Sequence, residues 1–405
     1  MVQTNAVEFD PFSRDFFDDP YDTYADLREY APCYYSEQYD FYALSRFDDV
    51  VAAHRDYATF SSTHGQTYEQ LSSGEPADMG SIISMDPPEH TRYRALVSRS
   101  FTPRSIGNYE ALVRDIISGY LDPLMSRRQF DILEEFAAPF PVEIISTILG
   151  VPAEDRQQIR HWTDEMLHRE EGSAMGSQGA AEAGMAQGMY LFQLSQQKRA
   201  EPADDMLTAL IEAEVETEDG ATTHLDDAEI AGFGTLLAAA GSETVTKLVG
   251  NAVVLFHRHP DQWAKVLEDP AVVGNAVEEI LRYWAPSQYQ GRYSTVDSTW
   301  HGVTIPKDKP VFLITGAANR DPRRYDNPDR FDITREPGLA VGLGHGLHVC
   351  LGAALARLES RVAIEEIARR WPAFEVNEEG LRRVQMSNVA GTLIGGGWYR
   401  NESTG

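Results

Sequence analysis

Cysteine is scarce in this chain of 405 residues, where only Cys33 and Cys350 occur. If Cys350 is taken up as a metal ligand no disulfide is possible, which suits a reducing compartment. Positive charge is short as well: 35 Lys and Arg stand against 63 Asp and Glu, a formal net charge of −28. Long-range repulsion then disfavours nucleic acid and anionic membranes as partners. No run of about eighteen apolar residues is present, and the N-terminal stretch has no basic region followed by an apolar one. A soluble, cytoplasmic protein is expected. Internal repeats, a phosphate-binding glycine loop and a dinucleotide fingerprint are all missing, so no flavin or nicotinamide site is expected on this chain.

What is present is an ordinary globular composition, 42% hydrophobic and 24% charged, with one unusual stretch. Gly342, Gly344 and Gly346 alternate before Cys350, Gly352 follows, and Leu351 to Arg369 reads as a helix with an apolar face. Alternating glycines let the backbone take positive φ and approach a flat partner closely. A cysteine at a helix N-terminus is favoured as thiolate, the form that binds metal. Three other readings compete. Cys350 could be a small buried hydrophobe, but that needs no glycines. His345, His348 and Cys350 could hold zinc, but no second pair follows at finger spacing. A Cys/His nucleophile would have its base only two residues away in the same loop, which is poor geometry.

A second feature is a helix expected from the capping box Asp226…Glu229 to about His257, ahead of Pro260. At 1.5 Å per residue it spans on the order of 45 Å. Its centre, Ala240-Gly241-Ser242-Glu243-Thr244, holds poor helix formers, and the residues alone leave open a helix crossing or a locally loosened segment. His90 and Arg94 lie four apart on a helix expected to start at Asp86-Pro87-Pro88-Glu89, with Asp86 as its cap. Glu279 and Arg282 lie three apart on another helix, the spacing of an ion pair. Tyr21 to Tyr30 reads as a helix, Cys33 to Ser36 and Phe41 to Ser45 as a hairpin, and Thr299 to Ile305 and Val311 to Thr315 as strands. Small residues between 170 and 180 separate two helical segments, and residues 60 to 80 form a loop long enough to have a job.

The Cys350 stretch resembles the cysteine-ligand loop of the cytochrome P-450 family, Phe-Gly-x-Gly-x-(His/Arg)-x-Cys-x-Gly, at Gly344, Gly346, His348, Cys350 and Gly352. Leu343 departs from it, since the family usually carries an aromatic there. The resemblance extends to Asp-Pro-Pro-Glu-His-x-x-x-Arg, to (Ala/Gly)-Gly-x-(Asp/Glu)-Thr at Ala240, Gly241, Glu243 and Thr244, and to Glu-x-x-Arg at Glu279 and Arg282.

It implies a mainly α fold with a small β-rich lobe, in which haem b lies between the long central helix and the cysteine loop. One domain over residues 1–405 is implied, with its β-rich lobe at about 30–60, 285–320 and 374–400. Cys350 would be the axial ligand of the haem iron, and Ala240, Gly241, Leu343, Gly344 and Gly352 would lie on the cofactor. His90, Arg94, Arg292 and His348 would meet the haem propionates. Thr244 and Glu243 would deliver protons to the oxygen-binding side, and Glu279, Arg282 and Arg330 would form a structural cluster under the loop. The segment near 170–180 would belong to a lid. Pocket candidates are Leu236, Ala240, Ser287, Gln288 and Val389.

The implied reaction is insertion of one oxygen atom from O2 into an apolar small molecule. Electrons would come from a ferredoxin and its reductase, docking at Arg323, Arg324, Arg357 and Arg361. A peroxide-using or rearranging haem-thiolate enzyme and a non-enzymatic haem-thiolate sensor are the alternatives.

Overall fold

The computed structural model describes residues 7–400 apart from 78–80, 99, 171, 217–221, 337 and 387. Along the chain, α1 (Tyr21–Tyr30), β1 (Cys33–Ser36), β2 (Phe41–Leu44) and α2 (Phe47–Arg55) come first. They are followed by β3 (Phe60–Ser61), α3 (Tyr68–Ser72), α4 (Glu89–Val97), α5 (Glu110–Leu121), β4 (Gln129–Phe130) and α6 (Pro139–Leu149). Next come α7 (Arg156–Leu167), α8 (Gln178–Ala200), α9 (Asp227–Arg258) and α10 (Val273–Tyr283). The last are β5 (Gln290–Ser294), β6 (Ser298–Trp300), β7 (Val303–Ile305), β8 (Pro310–Leu313), α11 (Ala353–Arg370), β9 (Phe374–Met386) and β10 (Val389–Arg400).

The expected capping box starts α9: the Glu229 N–H donates to Asp226 at 2.8 Å, and the Asp226 N–H donates to the Glu229 carboxylate at 2.9 Å. The apolar residues of α9, among them Val245, Leu248 and Val249, join Ile144 and Ile145 of α6, Leu191 of α8 and Val362 of α11 in the main core. Close approach of α6 is permitted by Gly241, where a Cβ would lie only 3.1 Å from Ile145 Cγ1. Of the two readings left open for this centre, the helix crossing is the one observed, and the helix runs unbroken. Ser242, Thr244 and Thr246 turn their hydroxyls back to the carbonyls of Ala238, Ala240 and Ser242 at 2.7, 2.8 and 3.1 Å.

The β-rich lobe carries a five-stranded sheet of order β1-β2-β8-β5-β3. β2 and β8 run parallel, pairing residues 42–44 with 311–313, so chain segments almost 270 residues apart are joined. Phe41 and Phe312 pack with ring centroids 4.6 Å apart, and Tyr289 stacks on Phe312 at 4.6 Å. These rings belong with Phe9, Phe16 and Tyr24 to a second apolar cluster under α1. Gln288 sits there too: its Oε1 accepts from Tyr24 at 3.1 Å and its Nε2 donates to the Ala285 carbonyl at 2.6 Å. The pocket role expected of Gln288 is therefore corrected, because its bonds to Tyr24 and Ala285 hold it in the lobe's core, 1% exposed.

Cys33 is a buried strand residue, and burial pushes its thiol up to about 12. The Asp86 cap is not formed. Its carboxylate accepts the Ser62 N–H at 3.1 Å, pinning the long loop, while α4 begins three residues on, at Glu89. Among the described residues, no helix is long and apolar enough to cross a membrane.

Candidate active site

The cysteine loop is folded by backbone bonds: the Gly344 N–H donates to Val341 at 2.9 Å and the Cys350 N–H to Leu343 at 2.8 Å. Gly344 and Gly346 take φ of +73° and +67°, as glycine allows at no steric cost. Two of the loop's glycines also answer to their neighbours. A Cβ on Gly342 would collide with the Leu281 carbonyl near the end of α10, and one on Gly346 with the His54 carbonyl near the end of α2. These glycines thus let the loop wedge between two helix ends. Leu343 packs against the main core.

Cys350 lies just before α11, which starts at Ala353 with Gly352 as its N-cap. Burial pushes the thiol up, opposed by a hydrogen bond from the Gly352 backbone and by the positive charges of Arg94 and Arg357. The helix N-terminus is therefore only one of several influences on the sulfur. Arg94 reaches the loop directly, its Nη2 donating to the Val349 carbonyl at 2.7 Å.

Above the loop the structure gathers positive and imidazole side chains. Arg292 is 3% exposed, and its Nη1 donates only to neutral oxygens, Gln66 Oε1 at 3.0 Å and the Gly291 carbonyl at 2.6 Å. Burial pushes it down to about 10. His90 and His348 lie with ring centroids 4.4 Å apart, and burial lowers both, His348 to about 3. His54, at the end of α2, is buried beside them and is lowered by desolvation and by the charge of Arg292.

Both ring nitrogens of His54 and of His90, and Nε2 of His348, are buried without a hydrogen-bond partner. Each such atom costs roughly 1–3 kcal/mol unless something satisfies it. A ligand presenting carboxylates here would satisfy these donors and compensate the Arg292 guanidinium. The residues fit the propionate edge of haem b.

On the α9 side, Leu236, Ala240 and Thr244 follow one another at four-residue spacing. Leu236 and Thr244 are half-buried and Ala240 is exposed, although Ala238 and Ala239 beside it are 0% and 8% exposed. That stripe is open to a partner. Glu243 points elsewhere: it is 3% exposed and pairs with the fully buried Lys247, Oε2 to Nζ at 3.0 Å. Ser287 pairs with Val389 through a β-bridge, and its Oγ accepts from Gln290 at 2.8 Å and Asn388 at 3.2 Å.

Beneath the loop, Arg282 holds Glu279 through two bonds of 2.8 and 2.9 Å and donates to the carbonyls of Asn319, Pro328 and Arg330. Arg330 contributes that carbonyl alone; its side chain is 67% exposed and faces Asp332. The third side chain on Glu279 is that of Arg335, at 3.3 Å. Arg330 is thereby corrected, since the turn after Pro328 directs its side chain to solvent and brings Arg335 back.

The zinc reading also fails. Among the described residues, no group of three His, Cys, Asp or Glu could hold a metal ion, and His345 Nε2 instead accepts from Arg55 at 2.9 Å. Three of the expected docking arginines are already paired: Arg323 with Glu29 at 2.8 Å, Arg357 with Glu278 at 2.5 Å and Arg361 with Glu365 at 2.7 Å. The residues not foreseen are His54, Lys247, Arg335 and Asp164 of α7, whose carboxyl is raised by burial and by the charge of Glu243. Only Lys247 left a readable signal, the four-residue spacing from Glu243.

The family described as Cytochrome P450 matches residues 188–389. A putative cytochrome P450 123 of Mycobacterium tuberculosis is 40% identical over 94% of both chains. The vitamin D(3) 25-hydroxylase of Pseudonocardia autotrophica is 39% identical over 90% of this chain and 89% of its own. Among solved structures, a mutant of P450 EryK in complex with erythromycin B superposes with a TM-score of 0.85 at 35% identity, covering 95% of this chain and 97% of the other. The cysteine loop under a cluster of orphaned imidazoles, the long helix and full-length likeness agree, and the chain belongs to the cytochrome P450 family of haem monooxygenases.

Proposed function

We propose that this enzyme inserts one oxygen atom into a bulky, largely apolar small molecule, drawing electrons from a separate ferredoxin and its reductase. The observation that carries the reading is the orphaned, positively biased cluster of His90, His348 and Arg292 beside the loop that ends in Cys350. Haem b, when bound, supplies O2 activation on an iron whose thiolate ligand pushes electron density toward it.

In this reading Cys350 Sγ ligates the iron, and Arg292, His90 and His348 hold the propionates by charge-assisted bonds. Arg94 steadies the loop through the Val349 carbonyl and completes the positive edge. Thr244 Oγ1 donates to the Ala240 carbonyl at 2.8 Å, which leaves its lone pairs directed to accept and relay a proton on the exposed stripe of α9. Glu243 holds the next proton position. Leu236, Ala240, Ser287 and Val389 bound the substrate, and α7 and α8 with their connection close over it. The three strand regions and the helices act as one unit, a reading supported by the sheet that joins β2 to β8.

The substrate class is supported by the names of the relatives, one a vitamin D(3) hydroxylase and one solved with erythromycin B. Ferredoxin docking at Arg323, Arg357 and Arg361 requires an acidic partner to displace the internal carboxylates that now pair with them. Arg324 lies instead over the Phe47 and Tyr325 rings.

The decisive experiment is the spectrum of the dithionite-reduced protein under carbon monoxide. A Soret band far to the red of an ordinary carbonyl haem, lost in Cys350→His, is expected. A band at the ordinary position in the unaltered protein would sink the thiolate assignment.

A further inference from the structure

α8 carries a patterned outer face. The helix packs into the molecule through Ala180, Ala183, Gln187, Leu191 and Leu194. On the opposite side Glu182, Met185, Met189, Phe192, Gln196 and Arg199 are all exposed, Met185 by 68%, Met189 by 59% and Phe192 by 37%. A contiguous row of large apolar side chains in water marks a contact surface. Steps of three and four residues alternate along these six, the order of a coiled-coil seam, which keeps one line of side chains facing a second helix. Between the end charges, residues 183–197 carry none, a gap that a chain 24% charged would not leave by composition alone.

The row is its own complement. Two copies of α8 laid antiparallel, with the twofold axis between Tyr190 and Leu191, bring Glu182 to the partner's Arg199, Met185 to the partner's Gln196 and Met189 to the partner's Phe192. A parallel pairing would set Glu182 against the partner's Glu182. Both end charges can take a partner. Among the described residues Glu182 holds no cation, only the neutral Gln178 amide at 2.8 Å. Arg199 gives Nε to Asp227 at 2.6 Å and Nη2 to the Leu225 carbonyl at 3.0 Å, which leaves Nη1 for a second carboxylate. Other occupants fit less well: the net charge of −28 repels an anionic membrane or an acidic protein, and a basic protein would be drawn to the acidic surface and not to a charge-free row. A second copy carries the same net charge, and this row is where two copies meet with least repulsion.

We propose that the outer face of α8 is an interface between two copies of this chain, an antiparallel helix pair closed at each end by Glu182 and the partner's Arg199. One helix per protomer buries less than the roughly 1,200 Å² of a standard complex, so the dimer is weak and depends on concentration. The proposal does not depend on the monooxygenase reading.

The test is sedimentation equilibrium of the holoenzyme from about 1 to about 200 µM, the range in which weak complexes form. The native protein should pass from monomer to dimer across it. Met189→Glu, which sets a charge against the partner's Phe192, should weaken the dimer by about tenfold or more, and Glu182→Arg should do the same by placing like charges at both ends. Arg199→Glu should also dimerise poorly, whereas an equimolar mixture of the Glu182→Arg and Arg199→Glu proteins should dimerise again, because each end then joins opposite charges. Circular dichroism checks that the variants keep the native helix content. Monomer at every concentration overturns the proposal, as does a dimer that Met189→Glu and Glu182→Arg leave intact. A mixture of the two folded charge variants that stays monomeric overturns the antiparallel pairing. Monomeric protein that floats with phosphatidylcholine vesicles, and no longer does so as Met189→Glu, would give the face to a lipid surface and overturn the dimer as well.

Discussion

Arg335 donates to Glu279 at 3.3 Å and, with the bidentate Arg282, places two guanidinium groups on a carboxylate whose side chain is 2% exposed. Arg335 also ties the carbonyls of Asp326, Asn327 and Arg330.

Arg335→Ala removes a charged hydrogen bond to a buried carboxylate and should cost about 2 kcal/mol. Arg330→Ala touches only an exposed side chain and should stay within about 0.5 kcal/mol. Urea unfolding of the two variants side by side checks the assignment, and equal losses would contradict it.

Lys247→Met leaves Glu243 buried without its cation and should destabilise the protein by about 3–5 kcal/mol. The double variant Lys247→Met, Glu243→Gln should recover much of that loss, since no unpaired charge remains. A thermodynamic cycle from denaturant midpoints measures the coupling; additive losses would show that the pair is not energetically joined.

Asp164 has a folded pKa raised to about 8, above the value of about 3.9 in an unfolded chain. The folded protein then binds a proton that the unfolded chain releases, so this residue's contribution to stability falls as pH rises from about 4 to about 8. Asp164→Asn should match the native Tm near pH 4 and exceed it near pH 8. A variant less stable at pH 8 than at pH 4, relative to native, would reverse the sign and remove the raised pKa.

Gly346→Ala forces a side chain into a φ of +67° and against the His54 carbonyl. The strain should cost about 1–3 kcal/mol and speed the release of haem to a competing apoprotein. Gly107→Ala, with open space around its Cβ, is the neutral comparison.

Much of this chain was legible before folding. The capping box at Asp226, the helix Tyr21–Tyr30, the first strands and the glycine–cysteine loop depend on contacts within a few residues, and local spacing specifies them. The helix centre stayed open between two readings because hydroxyls that bond back to carbonyls look, in sequence, like helix breakers. Gln288 was misplaced because its side chain is turned inward by Tyr24, a partner 264 residues away in the chain that no local spacing announces.

The sequence by itself singled out the candidates through its likeness to the family's motifs: Cys350 in its loop, the Glu243–Thr244 pair, and His90 and Arg94 on one face of a helix. Only the tertiary structure decided who meets them. His54 reaches Arg292 and His348 across more than 230 residues, Arg335 displaces Arg330 at Glu279, and Asp164 meets Glu243 from a different helix. The physical reason is that desolvation and charge pairing depend on distance in space, and burial, which turns an ordinary Asp, Lys or His into a proton holder or an orphaned donor, is set by whole helices packing together and not by any local run of residues.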